Sequence, residues 1–245
     1  DVLKDLPEKL EENVYAKMEG EQLALYDAHV QQMKQMLDGK SEAEFKSNKI
    51  QILAELTKLR QLCCDPALLF EDYKGESAKV QMCMDLIGNA VHGGHKVLLF
   101  SQFTTMLDRL AEQLKKLGID YYMLTGSVNK EKRMQMVDSF NKDDVPVFCI
   151  SLKAGGTGLN LTAADIVIHY DPWWNVAVQN QATDRAYRIG QTKGVQVFDL
   201  IAADTIEERI VLLQQEKKAL SDGVLLGEDS LFTVDASALR AILKG

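Results

Sequence analysis

Five short apolar runs alternate with helical patterns over residues 96–201, and this alternation constrains the chain more than any single motif in it. The runs are KVLLF at 96–100, DYYML at 120–124, VFCI at 147–150, the stretch from Ile166 to His169, and VQVFDLI at 195–201. A continuous apolar run offers no polar face to water, so it predicts a strand covered on both sides, as in a parallel sheet. Between the first two runs Leu107, Leu110, Leu114 and Leu117 recur at helical spacing, and Gly118 closes that helix. A second helix is expected from about Lys130 to Phe140. Such β-α-β-α-β order implies an α/β fold: a doubly wound, mostly parallel, right-handed sheet with helices on both faces.

In sheets of this kind ligands gather beyond the carboxyl ends of the strands. Ser101-Gln102-Phe103, Thr125-Gly126-Ser127, the turn at 153–157 and Asp171-Pro172-Trp173 all fall just after strands, and they are expected to line one edge. The turn after VFCI holds Gly155, Gly156 and Gly158, with the hydroxyl of Thr157 between them. Glycines let the backbone approach closely and aim successive N–H groups at an anion. A polar helix is expected to follow, carrying Gln181, Asp184, Arg185 and Arg188. Arginines three apart share a helix face, and their planar, permanent charge suits phosphate groups. Asp184 would orient and partly neutralise them. Each signal alone has a plainer explanation: glycine turns serve the backbone, paired arginines line a solvated face, and Trp173 and Trp174 either plug the sheet edge or stack on a base.

The flanks read as helices. Pro7 sits in an extended lead-in, after which Leu23, Tyr26, Val30, Met33 and Leu37 form one apolar stripe. Ser41 and Glu44 offer a capping box, and Ile52, Leu56, Leu59 and Cys63 make a second stripe that ends at Asp65-Pro66. Together they predict a helical hairpin. Ser77 is expected to cap a helix with Val80, Met84, Ile87 and Val91 inward, closed by Gly93-Gly94. Near the other end Asp204 and Glu207 form a capping pair for a helix through Ile206, Ile210, Leu213, Lys217 and Leu220, and residues 228–244 read as a linker and one short helix. The expected division is 1–76 for lead-in and helical protrusion, 77–203 for the sheet lobe, and 204–245 for the final helix and tail.

Composition excludes several classes. A formal net charge of −8 argues against a general electrostatic grip on nucleic acid, so any such contact must be local. Cys63, Cys64, Cys83 and Cys149 lack C-x-x-C spacing and sit in apolar surroundings, which predicts reduced core thiols. His92 and His95 in HGGH have no third ligand nearby and read as a loop rather than a zinc site. No run approaches the roughly 18 apolar residues that would span a bilayer, and the start shows no leader pattern. The expectation is a soluble intracellular chain, a piece of something longer, that is not a membrane protein and is an unlikely oligomer. A phosphate loop of the G-x-x-x-x-G-K-[ST] type and the acidic pair that holds magnesium do not occur. Gly39-Lys40-Ser41 reads as a turn and cap. The chain carries at most half of an ATP site.

Taken in order, the segments resemble the C-terminal RecA-like lobe of the Swi/Snf family of DNA-dependent ATPases. LKAGGTGLNL followed by HYDPWWN is similar to that family's fifth helicase-type motif, and QATDRAYRIGQ to its sixth. LTKLRQLCCDP, FSQF and LTGS, with Arg133 further along, also have counterparts there. The resemblance implies arginine fingers at Arg185 and Arg188, with Gly156, Gly158, Gln181 and Asp184 near the nucleotide. It implies phosphate contacts to double-stranded DNA at Ser101, Gln102, Thr125, Gly126, Lys153 and Thr157, with Trp174 as the candidate aromatic. ATP and magnesium would be held mainly by an N-terminal RecA-like lobe of the same protein, and the helix after Asp204 would brace the lobes. Val176 stands where the family usually has proline, which alters the rigidity of the helix start and leaves the arginines in place. The implied activity is an ATP-driven double-stranded DNA translocase in a bacterial cytoplasm, nucleoid-associated, or in a nucleus if eukaryotic. The alternative is a non-catalytic nucleic-acid-binding or protein-docking lobe.

Overall fold

The computed structural model of the chain describes residues 6–39, 41–155 and 158–221. Two compact units form among them, one from residues 6–15 and 80–201, the other from 16–79 and 202–221.

Six strands make one sheet: β1 (Lys9–Ala16), β2 (Val97–Ser101), β3 (Tyr121–Leu124), β4 (Val147–Ser151), β5 (Ile166–His169) and β6 (Val195–Ala202), in the order β1-β6-β5-β2-β4-β3. The pairings of β2 with β4 and β5, of β3 with β4 and of β5 with β6 are all parallel. Val195 N donates to Glu8 O and Ala203 N to Ala16 O, both at 2.9 Å and at one constant offset, so β1 joins as a parallel edge strand. Every residue of β2, β4 and β5 is buried, which is why these runs carry no polar alternation.

The chain steps from β2 out to β3, then back through β4 to β5 and β6, and this reversal places helices on both faces. Helix α4 (Ala78–His92) precedes the sheet and buries Cys83, Ile87 and Ala90, while Val80, Met84 and Val91 are half-buried. Helix α5 (Thr104–Lys116) packs Met106, Leu107, Leu110 and Leu114 against β2 and β4. Leu117 leaves that stripe; it is the C-cap and 56% exposed, and Gly118 takes the left-handed turn with φ +69°. Helix α6 (Lys130–Phe140) joins a cluster with Leu98, Phe100, Phe148 and Ile150. Since Leu98 and Phe100 face that cluster, Val97 and Leu99 face the other side. Lys96 Nζ donates to Phe140 O and Asp143 O, a cation on the C-terminal end of α6.

In the second unit α1 (Gly20–Leu37) packs on α3 (Lys49–Cys64) as the expected hairpin, with a short α2 (Glu42–Ser47) between them. Ser41 and Glu44 form the capping box. Asp65 starts the 3-10 turn Pro66–Leu68 that stops α3. Two expectations change. Leu23 is 39% exposed, and Gln22 is buried in its place because its amide donates to Leu62 O at 3.0 Å and accepts from Ala78 N at 3.1 Å. Ser77 does not spend its hydroxyl as a cap but donates it to Cys64 O.

The last described helix, α9 (Ile206–Ser221), packs against α3. Its start corrects the predicted Asp204–Glu207 pair. Thr205 Oγ1 accepts from Glu207 N, Glu208 accepts from Asp204 N, and Asp204 sits at φ +57°. The Glu207 carboxylate instead turns inward to Lys79 Nζ, at 2.8 and 3.0 Å, with both side chains fully buried. Burial raises the Cys63 thiol well above its ordinary range and pushes Cys149 up to about 12, so neither ionises near neutral pH. All four cysteines are buried thiols. The expected helix in the tail lies outside the described residues. No helix among the described residues is long and apolar enough to cross a membrane.

Candidate functional site

The sheet register decides where the candidate residues meet. Ser101 pairs with Ser151, Leu124 with Ile150, and Phe100 with His169, so β2, β3, β4 and β5 end together at one edge. The segments that follow these four strands therefore emerge side by side, as the strand-end rule requires.

Ser101 is fully buried at the end of β2. Its hydroxyl donates to Asp171 Oδ1 at 2.5 Å and accepts from Phe103 N at 3.1 Å. Gln102 N also points at the Asp171 carboxylate, at 3.3 and 3.4 Å. The Ser101 side chain is thus spent inside the protein and fastens the loop, which corrects its reading as a phosphate ligand through that hydroxyl. Gln102 is half-buried beside it. After β3, Thr125 Oγ1 and Ser127 Oγ lie 2.9 Å apart in an exposed turn closed by Val128 N on Thr125 O, with Gly126 exposed. These groups are open to an incoming anion.

After β4 the chain makes one helical turn, α7 (Leu152–Gly155), which takes in the first glycine of the expected turn. Lys153 is exposed on it, and Arg133 Nη1 from α6 reaches Ala154 O at 3.4 Å. Gly156 and Thr157 lie outside the described residues. Gly158 is exposed at φ +40°, a left-handed conformation that favours glycine. A cavity of about 580 Å³ lies between α6 and residues 158–160, lined by Lys130, Arg133, Met134 and Leu159 among others. After β5, Trp173 is half-buried against the core cluster and Trp174 is half-buried.

Helix α8 (Val176–Thr183) is capped by Asn175, whose Oδ1 accepts from Ala177 N at 2.9 Å. Gln181 is exposed on it, and Asp184 is its exposed C-cap. The predicted helix through Arg188 stops here. Arg185 and Arg188 stand on successive tight turns instead, held by Arg185 N on Ala182 O, Ala186 N on Thr183 O and Gln191 N on Arg188 O. Tertiary bonds enforce the break: Leu161 N takes Arg185 O at 2.9 Å, and Gln191 Nε2 donates to Ala164 O and Ala186 O. The two arginines consequently differ. Arg185 is 7% exposed, and its Nε is buried with no hydrogen-bond acceptor among the described residues. Burial lowers its pKa, Arg188 adds to that, and Asp184 opposes it. Arg188 is exposed, with Nη1 3.5 Å from Leu159 O.

Residues 78–190 match the helicase conserved C-terminal domain. An uncharacterized ATP-dependent helicase of Mycoplasma pneumoniae is 39% identical over 239 residues, covering 94% of this chain and 22% of that protein. Among solved structures, the C-terminal domain of the SWI2/SNF2 ATPase of Sulfolobus solfataricus superposes with a TM-score of 0.73 at 33% identity, over 91% of this chain and 92% of that one. The chain belongs to the Swi2/Snf2 ATPase family. The Sulfolobus solfataricus SWI2/SNF2 ATPase core in complex with dsDNA superposes with a TM-score of 0.79 at 34% identity, over 99% of this chain and 51% of that one. The fold is accordingly the RecA-like α/β fold of the Swi2/Snf2 C-terminal lobe. The chain spans only 22 to 27% of the length of the relatives it first matches.

Sequence reasoning left two features of this Swi2/Snf2 lobe without a role. One is Asp171, which the strand-end rule placed at the edge and which organises the β2 loop. The other is a chain of side chains behind α8. Gln179 Nε2 donates to Asp199 Oδ1 on β6 at 2.8 Å, and Gln179 Oε1 accepts from Trp173 N at 3.3 Å. His169 Nε2 meets Thr183 Oγ1 at 2.9 Å, and that hydroxyl lies 3.4 Å from Gln179 O. Burial pushes His169 down to about 3, so it is neutral at physiological pH. Asp199 is pushed up to about 7 by burial and by the Glu11 carboxylate, against the Gln179 hydrogen bond. A lone Asp in an apolar strand and a Gln on a polar helix carry no sequence signal that they meet.

Proposed function

We propose that this lobe is the second motor lobe of an ATP-dependent double-stranded DNA translocase of the Swi/Snf type. The observation that carries the reading is the difference between its two arginines. A buried guanidinium whose Nε has no acceptor among the described residues, beside an exposed second guanidinium, suits the oxygens of an anionic ligand. Phosphate oxygens of ATP fit that description, so Arg185 and Arg188 are assigned as arginine fingers, with Gln181, Asp184, Gly156 and Gly158 at the same place. When bound, ATP supplies the phosphoryl group whose transfer such arginines stabilise. Among the described residues no cluster of three or more His, Cys, Asp or Glu side chains could hold a metal. The sequence holds no G-x-x-x-x-G-K-[ST] run, so the phosphate loop, and magnesium with it, are assigned to an N-terminal lobe of the same protein, and this chain by itself should hydrolyse no ATP.

The double-stranded DNA contacts are assigned to Thr125, Gly126, Gln102, Lys153, Thr157 and Trp174, because hydroxyls and backbone amides at strand ends bind phosphates without requiring net positive charge. The superposition on a family core in complex with dsDNA supports that choice. Ser101 acts beside them as a loop fastener. The test is triplex displacement by the two-lobed protein. ATP-dependent release of a third strand with the duplex intact supports translocation. Separation of the duplex strands would make it a helicase, and neither activity, with DNA still bound, would make it a binding lobe.

A further inference from the structure

We propose that Gln179 and Asp199 form a positioning relay that ties the DNA-side loop after β5 to the helix that leads into the arginine turn. The inference rests on the motor reading above and adds residues to which neither the family motifs nor the strand-end rule gave a role.

Gln179 sits in α8, one turn before Thr183 and the Asp184–Arg188 turns. Its amide is held between two unlike partners. Trp173 N–H can only donate, so it must face the amide oxygen. Asp199, when ionised, can only accept, so it must face the amide NH2. The two ends agree on one orientation of the side chain, and a flip would break both bonds at once. A single side chain thereby fixes three elements: the backbone of the Asp171-Pro172-Trp173 loop, helix α8 and strand β6. Asp171 extends the same connection to the β2 loop through Ser101 and Gln102. A displacement of the tryptophan loop by DNA would therefore reach the arginine turn through a bonded path rather than through apolar packing.

Protonation supplies a readout that a merely structural bond would lack. A protonated Asp199 can donate, so it no longer dictates which end of the Gln179 amide it faces, and the Trp173 contact loses its enforcement. The charged and titratable groups that face Asp199 are Glu11 on β1, whose carboxylate disfavours ionisation, and His169, its register partner on β5, which burial keeps neutral. Helix α8 presents Gln179 to it, a neutral side chain.

The experiment measures ATP hydrolysis by the two-lobed protein with and without double-stranded DNA, across about pH 6 to 8, one unit either side of the value at which Asp199 titrates. Wild type, Gln179→Leu, Asp199→Asn and Arg188→Ala are compared. In the wild type the ratio of DNA-stimulated to DNA-free rate should rise with pH through about 7. Asp199→Asn, like the protonated acid, can donate as well as accept and has no proton to lose, so it should hold the ratio near the low-pH value of wild type at every pH and flatten the profile. Gln179→Leu should lower the ratio about tenfold, the size of one hydrogen bond to a charged group, with the KM for ATP within about twofold. Stimulation abolished by Arg188→Ala but unchanged in size and pH profile by Gln179→Leu and Asp199→Asn would overturn the relay and leave the motor reading standing. A wild type whose hydrolysis ignores DNA, or survives Arg188→Ala undiminished, would overturn the motor reading and the relay with it.

Discussion

Lys79 and Glu207 are the most sharply testable pair in the molecule, because both side chains are fully buried and both carboxylate oxygens meet the ammonium, at 2.8 and 3.0 Å. Lys79 is the second residue of α4 and Glu207 the second of α9, and both lie in the second unit. Glu207 also accepts from Ala202 N at 2.8 Å. Lys79→Met would leave a buried carboxylate without its cation. Breaking a buried pair in this way costs about 3–5 kcal/mol, a large share of the roughly 5–15 kcal/mol that holds a domain folded. For a chain of this size that corresponds to a fall in Tm of about 6–20 °C. The double variant Lys79→Met with Glu207→Gln removes both charges and keeps an amide oxygen for Ala202 N, so it should recover most of the loss, to within about 1–2 kcal/mol of wild type. Urea unfolding followed by far-ultraviolet circular dichroism would measure all of these. If Lys79→Met costs less than about 1 kcal/mol, or if the double variant is as unstable as the single one, the pair does not carry the coupling described here.

Three further outcomes follow from the same structure. Asp199 keeps its proton in the folded state up to about pH 7, whereas its ordinary value is 3.8; its stabilising contribution is full below about pH 4 and is lost as pH rises to about 7. Urea midpoints of Asp199→Asn should therefore gain on wild type across that window, and a constant difference would contradict the burial. His169 behaves in the opposite sense: pushed down to about 3 from 6.5, it supports the fold fully above about pH 6.5 and loses that support as pH falls towards about 3, so His169→Gln should flatten the acid limb of the stability profile. Asn175→Ala removes the cap on α8 and should cost about 1 kcal/mol by the same assay, with Asn175→Ser close to wild type.

The fold was legible because burial is written into composition. β2, β4 and β5 are apolar up to their last residues, Ser101, Ser151 and His169, and only a sheet covered on both faces buries such runs; α5 announced itself by Leu107, Leu110 and Leu114. The capping box at Ser41 was legible because its partners lie three residues apart. What escaped depends on partners far along the chain. Helix α8 ends at Thr183 because Leu161 and Gln191 claim the carbonyls of Arg185 and Ala186, and nothing in the local sequence QATDRAYR says so. Gln22 displaces Leu23 from the core because Leu62 and Ala78 satisfy its amide from 40 and 56 residues away. Nothing beside Lys79 in the sequence signals Glu207, 128 residues on, which meets it. Ser101 reads as a phosphate ligand for the same reason, since Asp171 lies 70 residues downstream.

The central claim is that this lobe completes an ATP site with Arg188, and steady-state hydrolysis tests it most directly. The two-lobed protein and its Arg188→Ala variant would be assayed at saturating ATP with and without double-stranded DNA, beside the present chain alone. The account predicts DNA-stimulated turnover in the parent, a loss of about three powers of ten or more in the variant, and none from the lobe alone. Near-parental turnover in Arg188→Ala, or DNA-stimulated hydrolysis by the lobe without its partner, would contradict it.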